Sequence, residues 1–441
     1  MRAPSVFALA DDLSGAAETA AVLMSSGRPA RIALSGPPYA SSAPVMVADL
    51  DCRYRAGAGE VVREALRHAG ERRVFVKVDS LLRGDVGATA AATLDAAILE
   101  AAFSRAAAPA LVVLAPALPS AGRVTVGGVP RIGGLSLRET RAWQVERRPA
   151  PASIADALGG VPVALVPLAT VRADRADRAD RATLVRALSR TAGRVAVCDA
   201  ETDADLDAIV AATLTADPRA HLIGAGGLAS ALGRTLAFSG DRTGATAPGR
   251  TLAFGGDRTR ATAPGRISDG HPPIAPRPST QDRPLLIVVG TAEPGAADQA
   301  RRLLPYGAHP LTLDATTDLA PAHRAHIAHR LRTALRPSTA LVVLTLTGQG
   351  PPDAATALAE IVATALTGDH TPDLVLTGGE TARRVLDALK VHELTPVGQI
   401  HHGAVHCHTP EGRSVVTRPG SFGDRDSLLN IAAHLAPERL T

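Results

Sequence analysis

Short apolar runs alternate with Ala/Leu-rich stretches of helical character along most of this chain. The run "SVFALA" precedes "SGAAETAAVLMSSG", "RRVFVKV" precedes "GDVGATAAATLDAAILEAAF", and "DLVLTGG" leads into "ETARRVLDALK". Buried strands that alternate with helices are typical of α/β proteins with a parallel sheet. A chain of 441 residues is long enough for two such domains. We therefore predict two α/β domains, each with a mostly parallel sheet flanked by helices.

A tandem repeat interrupts this alternation and predicts where the domains divide. Residues 233–248 read "GRTLAFSGDRTGATAP" and residues 249–264 read "GRTLAFGGDRTRATAP", followed by the Pro-rich "ISDGHPPIAPRPSTQDRP". Two copies are too few for a solenoid, which needs several stacked repeats to bury a core. We interpret the segment as a flexible linker. The predicted units are a first domain at residues 1–236, a linker at 237–282 and a second domain at 283–441.

The composition argues against several classes of function. The 47 basic and 43 acidic residues nearly balance, for a formal charge of +4, and only 2% of the residues are aromatic. So small a charge excess, with so few rings for base stacking, does not indicate nucleic-acid binding. Cys52, Cys198 and Cys407 are far apart and odd in number, which fits a reducing compartment better than a disulfide framework. We find no pattern typical of a signal peptide or a membrane span, and we expect a cytoplasmic protein with no membrane partner.

Two acidic residues follow the first apolar run. In "FALADDLSGAAET", a strand should end at Asp11 and Asp12, and a helix should begin near Ser14, a favourable capping residue. Ligands bind beyond the carboxyl ends of strands in open α/β sheets. One of the two carboxylates could therefore accept the proton of a substrate hydroxyl, and which of the two points inward stays open. The alternative is that both acids only occupy the first helical turn, where Asp is favoured in any case.

The stretch "KVDSLLRG" brings four polar side chains to the end of another predicted strand. Lys77 and Arg83 have the charge to hold a carboxylate, and Asp79 and Ser80 can hydrogen-bond hydroxyl groups. The alternative is a buried ion pair between Lys77 and Asp79. Two further arginines lie in predicted loops of the same half, Arg53 and Arg123. Together these residues predict a pocket with excess positive charge that suits a small hydroxylated acid.

The second half carries a glycine turn typical of a phosphate binder. The stretch "DLVLTGGETARRVLDAL" predicts a strand, a turn at Gly378 and Gly379, and a helix, with Thr377 or Thr381 near the helix start. Glycines allow close approach of the backbone, and free N–H groups at a helix N-terminus can bind phosphate oxygens. The loop "RPGSFGD" near the C-terminus is also rich in glycine. A Walker A loop is excluded, because neither of the two lysines in the chain follows a glycine.

Two further patterns have competing explanations. The stretch "AHLIGAGGLASAL" fits Gly-x-Gly-x-x-Ala after a short strand, which would suggest a dinucleotide-dependent oxidoreductase. No convincing βαβ unit follows it, however, and close packing of a helix on a strand explains the glycines. The stretch "HHGAVHCH" could suggest a metal site, yet its spacing matches no common zinc pattern. Its alternation instead predicts a solvated strand with histidines on one face, and we predict no metal-ligating residues.

Taken together, the motifs resemble those of the four-carbon acid sugar kinases. The stretches "ADDLSGA", "KVDSLLRG", "APALP", "GAGGLA", "TGGETA" and "RPGSFG" occur in the order found in that family, over nearly the whole chain outside the repeat. The resemblance implies an enzyme that uses ATP, with Mg²⁺, to phosphorylate a small acid such as threonate, erythronate or an oxo-tetronate, at its terminal hydroxyl. It implies that the first domain binds the acid sugar and that the second binds the nucleotide.

The same resemblance implies the location of both ligands. The acid-sugar pocket would be lined by Asp11, Asp12, Arg53, Lys77, Asp79, Ser80 and Arg83, beside the Arg123 predicted above. ATP would lie along Gly378, Gly379, Glu380, Thr381 and Gly420, close to Thr377 and Thr291. Within this arrangement we expect Asp12, with Asp11 as the competing candidate, to be the catalytic base. We expect Lys77 to be the cation that holds the carboxylate of the substrate.

The chain departs from the family pattern in two places in the second domain. Where the family has Gly-Ser-Cys-Ser, residues 290–293 read Gly-Thr-Ala-Glu, and the loop that is usually Lys-Pro-Gly-Gly-Phe-Gly here has Arg418 and Ser421. Thr291 keeps a hydroxyl, whereas Glu293 brings an acid near the expected phosphates. An alternative hypothesis is therefore a degenerate kinase-like protein that binds its ligand without turnover. The sequence leaves the oligomeric state open, a homodimer included.

Overall fold

The computed structural model of the chain is an α/β structure built on one large, mostly parallel sheet. Fifteen strands form this sheet and helices flank it, which confirms the predicted fold class. The predicted linker at 237–282 lies outside the described residues from position 241 onward, and its first four residues belong to the helix Gly226–Gly240. The structure describes residues 5–24, 28–37, 39, 42–103, 110–143, 146, 148–173, 182–240, 283–290, 294–348, 350–351, 353–367, 371–420 and 422–440.

The first half of the chain forms a parallel part of the large sheet. Its strands in chain order are β1 (Val6–Ala10), β2 (Ala30–Ala33), β3 (Val45–Asp49), β4 (Arg73–Lys77), β5 (Val112–Ala115), β9 (Val163–Val166), β10 (Val195–Cys198) and β11 (His221–Gly224). They pair in the order β2-β3-β1-β4-β11-β5-β10-β9. Every residue of β1 is buried, because parallel strands are covered by helices on both faces.

The second half continues the same sheet. Its strands are β12 (Leu285–Val289), β13 (His309–Asp314), β14 (Leu341–Thr347), β15 (Asp373–Thr377), β16 (Glu393–His401), β17 (Ala404–His408) and β18 (Ser414–Arg418). The order is β13-β14-β12-β15-β18-β17-β16, and the pairs from β13 to β18 are parallel. The strands β16 and β17 pair antiparallel and bring the sheet to the edge of the first half.

The helices pack on both faces of the sheet. In the first half they are α1 (Leu13–Leu23), α2 (Ala58–Leu66), α3 (Val86–Phe103), α4 (Ile154–Ala157), α5 (Leu168–Val171), α6 (Ala182–Ser189), α7 (Asp203–Ala216) and α8 (Gly226–Gly240). In the second half they are α9 (Pro294–Arg301), α10 (Pro321–Ala334), α11 (Ala354–Ala365), α12 (Gly379–Ala388) and α13 (Ser427–Leu435). Among the described residues, α3 alone is long and apolar enough to span a membrane by length and composition, and it packs against α2 and the sheet.

A small antiparallel sheet replaces the predicted Pro/Gly-rich loop around Arg123. Its strands are β6 (Arg123–Val126), β7 (Val129–Ile132) and β8 (Leu135–Ser136). The buried Asp199 carboxylate anchors the β6–β7 turn, because it accepts hydrogen bonds from the N–H groups of Gly127 and Gly128, both at 2.8 Å. The start of β6, and with it Arg123, is therefore held in a fixed position beside the large sheet.

The histidine-rich stretch "HHGAVHCH" is not the predicted solvated strand, because it comprises the end of β16, a turn and the largely buried β17. Residues Ala404–Cys407 in β17 are buried, because β17 lies between β16 and β18 in the interior of the sheet. The imidazoles of His406 and His434 approach to 3.2 Å between Nδ1 and Nε2. Within the described residues, no group of three or more His, Cys, Asp or Glu side chains is arranged to hold a metal ion.

The two halves meet along a short antiparallel strand pair. β2 and β16 pair through Ile32 with Leu394 and Ala33 with Glu393, and the Leu34 N–H donates to the His392 carbonyl at 2.9 Å. Helix α1 lies across this junction and packs against β2 and β3 on one side and β16, β17 and α12 on the other. The amino end of α1 is therefore placed where the two halves of the sheet come together.

Candidate active site

The two acidic residues after β1 share one arginine. Asp12, not the predicted Ser14, caps helix α1, because its Oδ1 accepts a hydrogen bond from the Gly15 N–H at 2.8 Å. The Arg53 guanidinium donates to both Asp11 oxygens at 2.8 Å and to Asp12 Oδ2 at 2.6 Å. A single guanidinium thus serves two neighbouring carboxyl groups.

Asp11 and Asp12 differ in what they present to the site. Both Asp11 oxygens are taken up by Arg53, and burial raises the pKa of Asp11 while the Arg53 charge lowers it in part. Asp12 lines the cleft between the strand ends, and its side chain is the more exposed of the two. The geometry therefore favours Asp12 over Asp11 as the carboxylate that faces a ligand.

The stretch after β4 folds around a second ion pair. Asp79 accepts two hydrogen bonds at 2.8 Å from the Arg83 guanidinium, and its Oδ2 also accepts from the Leu81 N–H at 3.0 Å. These partners outweigh burial and hold the pKa of Asp79 well below its usual range. Leu82 takes a positive φ of 61° to close this tight loop. The Asp79–Arg83 pair is thus electrically neutral and largely committed to the loop itself.

Lys77 is paired with a residue that the motifs did not single out. Its Nζ lies 3.5 Å from Glu18 Oε2, and only 6% of Lys77 and 8% of Glu18 is exposed. The alternative pairing of Lys77 with Asp79 is wrong, because the ion-pair partner of Asp79 is Arg83. The Glu18 carboxylate also packs against the first turn of α8, where a side chain at Gly226 would overlap it. Lys77 therefore reaches the cleft already neutralised.

Arg123 differs from the other cations of the cleft. Its Nη1 donates to Ser80 Oγ at 2.6 Å, and its guanidinium lies 5.5 Å from the centre of the Phe422 ring. Burial lowers the pKa of Arg123, while the charges of Asp79 and Glu18 raise it in part. Both of these acids have a nearer ion-pair partner, Arg83 and Lys77 respectively. Arg123 is therefore the one cation lining this cleft that has no ion pair of its own within the described ranges.

The cleft lies at the carboxyl ends of β1, β4 and β11, and Pro419 and Phe422, which follow β18, also line it. It encloses about 400 Å³, including the solvent at its mouth. The charged and polar side chains that line it are Asp12, Ser14, Glu18, Arg53, Lys77, Asp79, Ser80, Arg83 and Arg123, and the remaining wall is formed by Gly15, Leu118, Ala225, Gly226, Pro419 and Phe422. Asp12, held by Arg53, and Arg123, which binds Ser80, thus line the same cleft.

The glycine turn of the second half lies directly beside Asp12. An ideal Cβ placed on Gly379 would be 2.8 Å from Asp12 Oδ2 and 3.2 Å from Ser14 Oγ. Gly379 begins α12, and Gly378 has a φ of 97°, which favours glycine. The free N–H groups at the start of α12 and the capped start of α1 thus meet at one point.

Two buried polar residues lie at the ends of the strands next to this turn. Thr377 ends β15 and Arg418 ends β18, and both are fully buried. Arg418 donates to Ser427 Oγ at 2.6 Å, but its Nε and Nη2, like Thr377 Oγ1, have no hydrogen-bond partner among the described residues. Burial lowers the pKa of Arg418 to about 10, so it remains a cation at neutral pH. Unpaired donors of this kind are what an anionic ligand would satisfy.

The remaining predicted nucleotide residues are only partly brought together. Thr381 is buried in the first turn of α12 against Gly290, Glu380 is exposed there, and Gly420 lies between the cleft residues Pro419 and Phe422. Thr291 and Glu293 lie outside the described residues. None of the motifs includes Glu18 as a site residue, although an acid inside the Ala-rich stretch "GAAETAAVL" is a signal for a buried partner.

The carboxylates and phosphate-binding groups fit a nucleotide with its magnesium ion. Mg²⁺ is usually held by one or two carboxylates together with the phosphates of the nucleotide, rather than by an all-protein cage. Asp12 lies beside the Gly379 turn, so a carboxylate and the N-terminus of α12 are available at the same place. The lack of a three-ligand cluster among the described residues is compatible with such a site.

Models of two protein domains match most of the chain. Residues 6–232 match a family described as a sugar-binding N-terminal domain, and residues 286–428 match one described as a nucleotide-binding C-terminal domain. Cleft residues from Asp12 to Gly226 fall in the first of these, and the Gly378–Gly379 turn and Arg418 fall in the second. The two matched families thus meet at the cleft described above.

Known proteins resemble the chain over almost their whole length. A D-threonate kinase of Cupriavidus necator is 30% identical over 95% of both chains, and one of Bordetella bronchiseptica is 28% identical over 100% of both. A solved Salmonella typhimurium structure, described as a putative tRNA synthase, has a TM-score of 0.72 at 20% identity and covers 97% of this chain and 98% of its own. A Haemophilus influenzae structure has a TM-score of 0.66 at 18% identity and covers 96% of this chain and 98% of its own. These structures support the fold alone, whereas the domain matches and the full-length kinases show that the chain belongs to the four-carbon acid sugar kinase family of carbohydrate phosphotransferases.

Proposed function

We propose that this protein transfers the γ-phosphoryl group of ATP to the terminal hydroxyl of a four-carbon sugar acid of the threonate type. Its similarity to two D-threonate kinases supports the substrate class. The observation that carries the proposal is the contact between the two halves, where Gly379 of the glycine turn lies against Asp12 of the cleft. Phosphoryl transfer needs a phosphate site and a hydroxyl site in line and in contact.

We assign the substrate's carboxylate to Arg123 rather than to Lys77. Lys77 is already paired with Glu18 in a nearly buried site, whereas the neutral Ser80 hydroxyl is the one side-chain hydrogen-bond partner that Arg123 has among the described residues. A guanidinium can bind a carboxylate through two parallel hydrogen bonds. A substrate carboxylate at Arg123 would neutralise this charge and leave the hydroxylated carbons to extend toward Asp12, which lines the same cleft.

We assign Asp12 as the base that accepts the proton of the attacking hydroxyl. The Gly15 N–H and Arg53 each bind one of its oxygens, which fixes the plane of the carboxylate while lone pairs remain on both oxygens. A base must lie within hydrogen-bond reach of the proton that it takes. Its position beside Gly379 supports this role, since the phosphate to be attacked would lie at the N-terminus of α12.

The residues of the second half would hold the nucleotide. The backbone of Gly378 and Gly379 would approach the phosphates closely, and the buried donors of Thr377 and Arg418 would supply hydrogen bonds to the same anion. Mg²⁺ bound with the nucleotide would neutralise charge that develops on the phosphates. Positioning by these groups would then supply most of the catalysis.

The proposal is tested by incubating the full chain with ATP, Mg²⁺ and a panel of four-carbon acids, and by following ADP release. D-Threonate, D-erythronate and a 2-oxo-tetronate cover the expected class, and the neutral polyol threitol controls for the need of a carboxylate. Phosphorus NMR of the product identifies the hydroxyl that is modified. If ATP binds but none of the acids is phosphorylated, the degenerate ligand-binding alternative is favoured.

A further inference from the structure

Helix α12 binds the first half of the chain one turn after its glycine start. The guanidinium of Arg383 lies 2.9 Å from Asp49 Oδ2, at the end of β3, and also donates to the Leu34 carbonyl. Asp49 is only 4% exposed. On the other side, Arg383 Nε donates to Asp387 of its own helix at 2.9 Å. The guanidinium is therefore held from both sides, and it joins the two halves across a buried ion pair.

A second arginine pair lies next to the first. Arg384 Nη1 is 2.9 Å from Asp51 Oδ2, and the side chains in this pair are 30% and 22% exposed. The side chains of the Arg383–Asp49 pair are only 14% and 0% exposed. Exposed ion pairs contribute little, whereas removing one partner of a buried pair is costly. The two pairs thus provide a buried contact and a more exposed neighbour on the same helix.

The loop that accepts these arginines also builds the catalytic end of the cleft. Asp49 pairs in register with Ala10, directly before Asp11 and Asp12, and the same loop continues to Arg53, which binds both of those acids. The Arg53 N–H also donates to the Asp11 carbonyl at 3.1 Å. One short loop therefore fixes the acidic pair through Arg53 and fixes α12 through Asp49.

We propose that Arg383, through its ion pair with Asp49, is a positioning residue that holds the glycine start of α12 in register with Asp12. This inference rests on the proposed phosphoryl transfer between these two points. Arg383 follows Gly379 by four residues, about one helical turn, so a shift of the guanidinium is passed to the turn by a rigid helix. Misplacement of a reacting group by about 1 Å can cost roughly 10²-fold in rate.

The test compares Arg383→Met, Arg383→Lys, Asp49→Asn and the Arg383→Met/Asp49→Asn double variant, with Arg384→Met as the matched control. Kinetics are measured at pH 8, so that Asp49 is mostly ionised although burial raises its pKa to about 7. We expect Arg383→Met to lower kcat by about 10²-fold, with Kd values for D-threonate and for a non-hydrolysable ATP analogue, each alone, within about threefold of the parent. Arg383→Lys should recover part of kcat, the double variant should be no worse than Arg383→Met, and Arg384→Met should be nearly unchanged.

Hydrogen exchange separates this inference from the proposed function. Arg383→Met should speed the exchange of the amides of residues 378–382 and 11–15, and Arg384→Met should not. This readout holds even if no acid is phosphorylated, in which case the proposed function fails but the positioning contact is still measured. If Arg383→Met does not fold, Arg383→Lys and Asp49→Asn carry the test. Unchanged exchange with unchanged kcat, or a lower Tm with parental kcat, would mean that the pair only joins the two halves and would overturn the inference.

Discussion

The Arg123→Met variant tests most directly where the substrate's carboxylate binds. Methionine keeps an apolar stem of similar length but removes the guanidinium, and with it the hydrogen bond to Ser80 Oγ. No acid of the described residues depends on Arg123 for charge compensation, so the substitution leaves no buried carboxylate unpaired within them. We therefore expect the variant to fold with a Tm close to that of the parent.

The expected magnitude follows from the charge that is lost. A hydrogen bond to a charged group contributes about 1.5–3 kcal/mol. Because each 1.4 kcal/mol is about a tenfold change in affinity, the Kd and KM for the acid should rise by about 10- to 150-fold. The fall in kcat should be smaller, since the carboxylate is bound equally before and during transfer. Arg123→Lys keeps the charge but not the two-pronged geometry, and it should give an intermediate loss.

The Lys77→Met variant provides the contrast. It leaves Glu18 without its cation at a site where only 8% of the residue is exposed. Breaking a buried pair by removing one partner costs about 3–5 kcal/mol, so the Tm should fall clearly. A Lys77→Met/Glu18→Gln double variant should regain part of that stability. Thermal unfolding and calorimetric titration with D-threonate distinguish the two sites. A parental Kd in Arg123→Met, with a raised Kd and a parental Tm in Lys77→Met, would refute our assignment of the carboxylate.

Three further predictions concern the neighbouring residues. Asp12→Asn keeps the helix cap and should lower kcat by about 10²–10⁴-fold with little change in KM. Asp11→Asn should lower kcat less. If steady-state assays show the larger loss of kcat in Asp11→Asn, Asp11 and not Asp12 is the base. Gly379→Ala places a methyl 2.8 Å from Asp12 Oδ2 and should weaken ATP binding in calorimetry, and unchanged affinity would mean that the nucleotide binds elsewhere. Burial raises the pKa of Asp49 to about 7. Between about pH 4 and pH 7 the folded chain therefore keeps a proton on Asp49 that the unfolded chain releases. The contribution of this group to the free energy of unfolding thus falls as the pH rises through that range. In Asp49→Asn, the midpoint of urea unfolding should depend less on pH over that range. A pH dependence equal to that of the parent would contradict the raised pKa of Asp49.

The sequence predicts the parallel parts of this fold well, because they rest on local patterns. Apolar runs such as Val6–Ala10 and Asp373–Thr377 are strands at the places expected, each followed by a helix. The junction of the halves could not be predicted in this way. Pairing of β2 with β16 joins residues more than 350 positions apart in the chain, and nothing in either short stretch specifies its partner. The strands β6 and β7 were not predicted for a different reason: they form a local hairpin where the glycines indicated a loop.

The residue types of the candidate site were easier to predict than their partners. The motifs pointed to Asp12, Arg53, Lys77 and Arg123, and the structure brings all four to one cleft. The motifs do not reveal which charged side chains form ion pairs with each other. Glu18, for example, lies in α1, whereas its partner Lys77 ends β4. Ion pairs depend on which side chains are neighbours in the folded chain. Here the pairing of Lys77 with Glu18 is the reason why we assign the substrate's carboxylate to Arg123 instead of Lys77.

The junction between β2 and β16 also affects where the chain can accept an insertion. The halves are held together by backbone hydrogen bonds, by α1 lying across them and by Arg383, all of which lie outside the stretch between Gly240 and Arg283. The free energy of closing a loop grows only slowly with its length. The second 16-residue copy, residues 249–264, falls in this stretch, so the duplication lengthens the connection and removes none of these contacts. The first copy begins inside α8, at Gly233. Selection for the contacts between the two halves therefore acts on part of the first copy but not on the second.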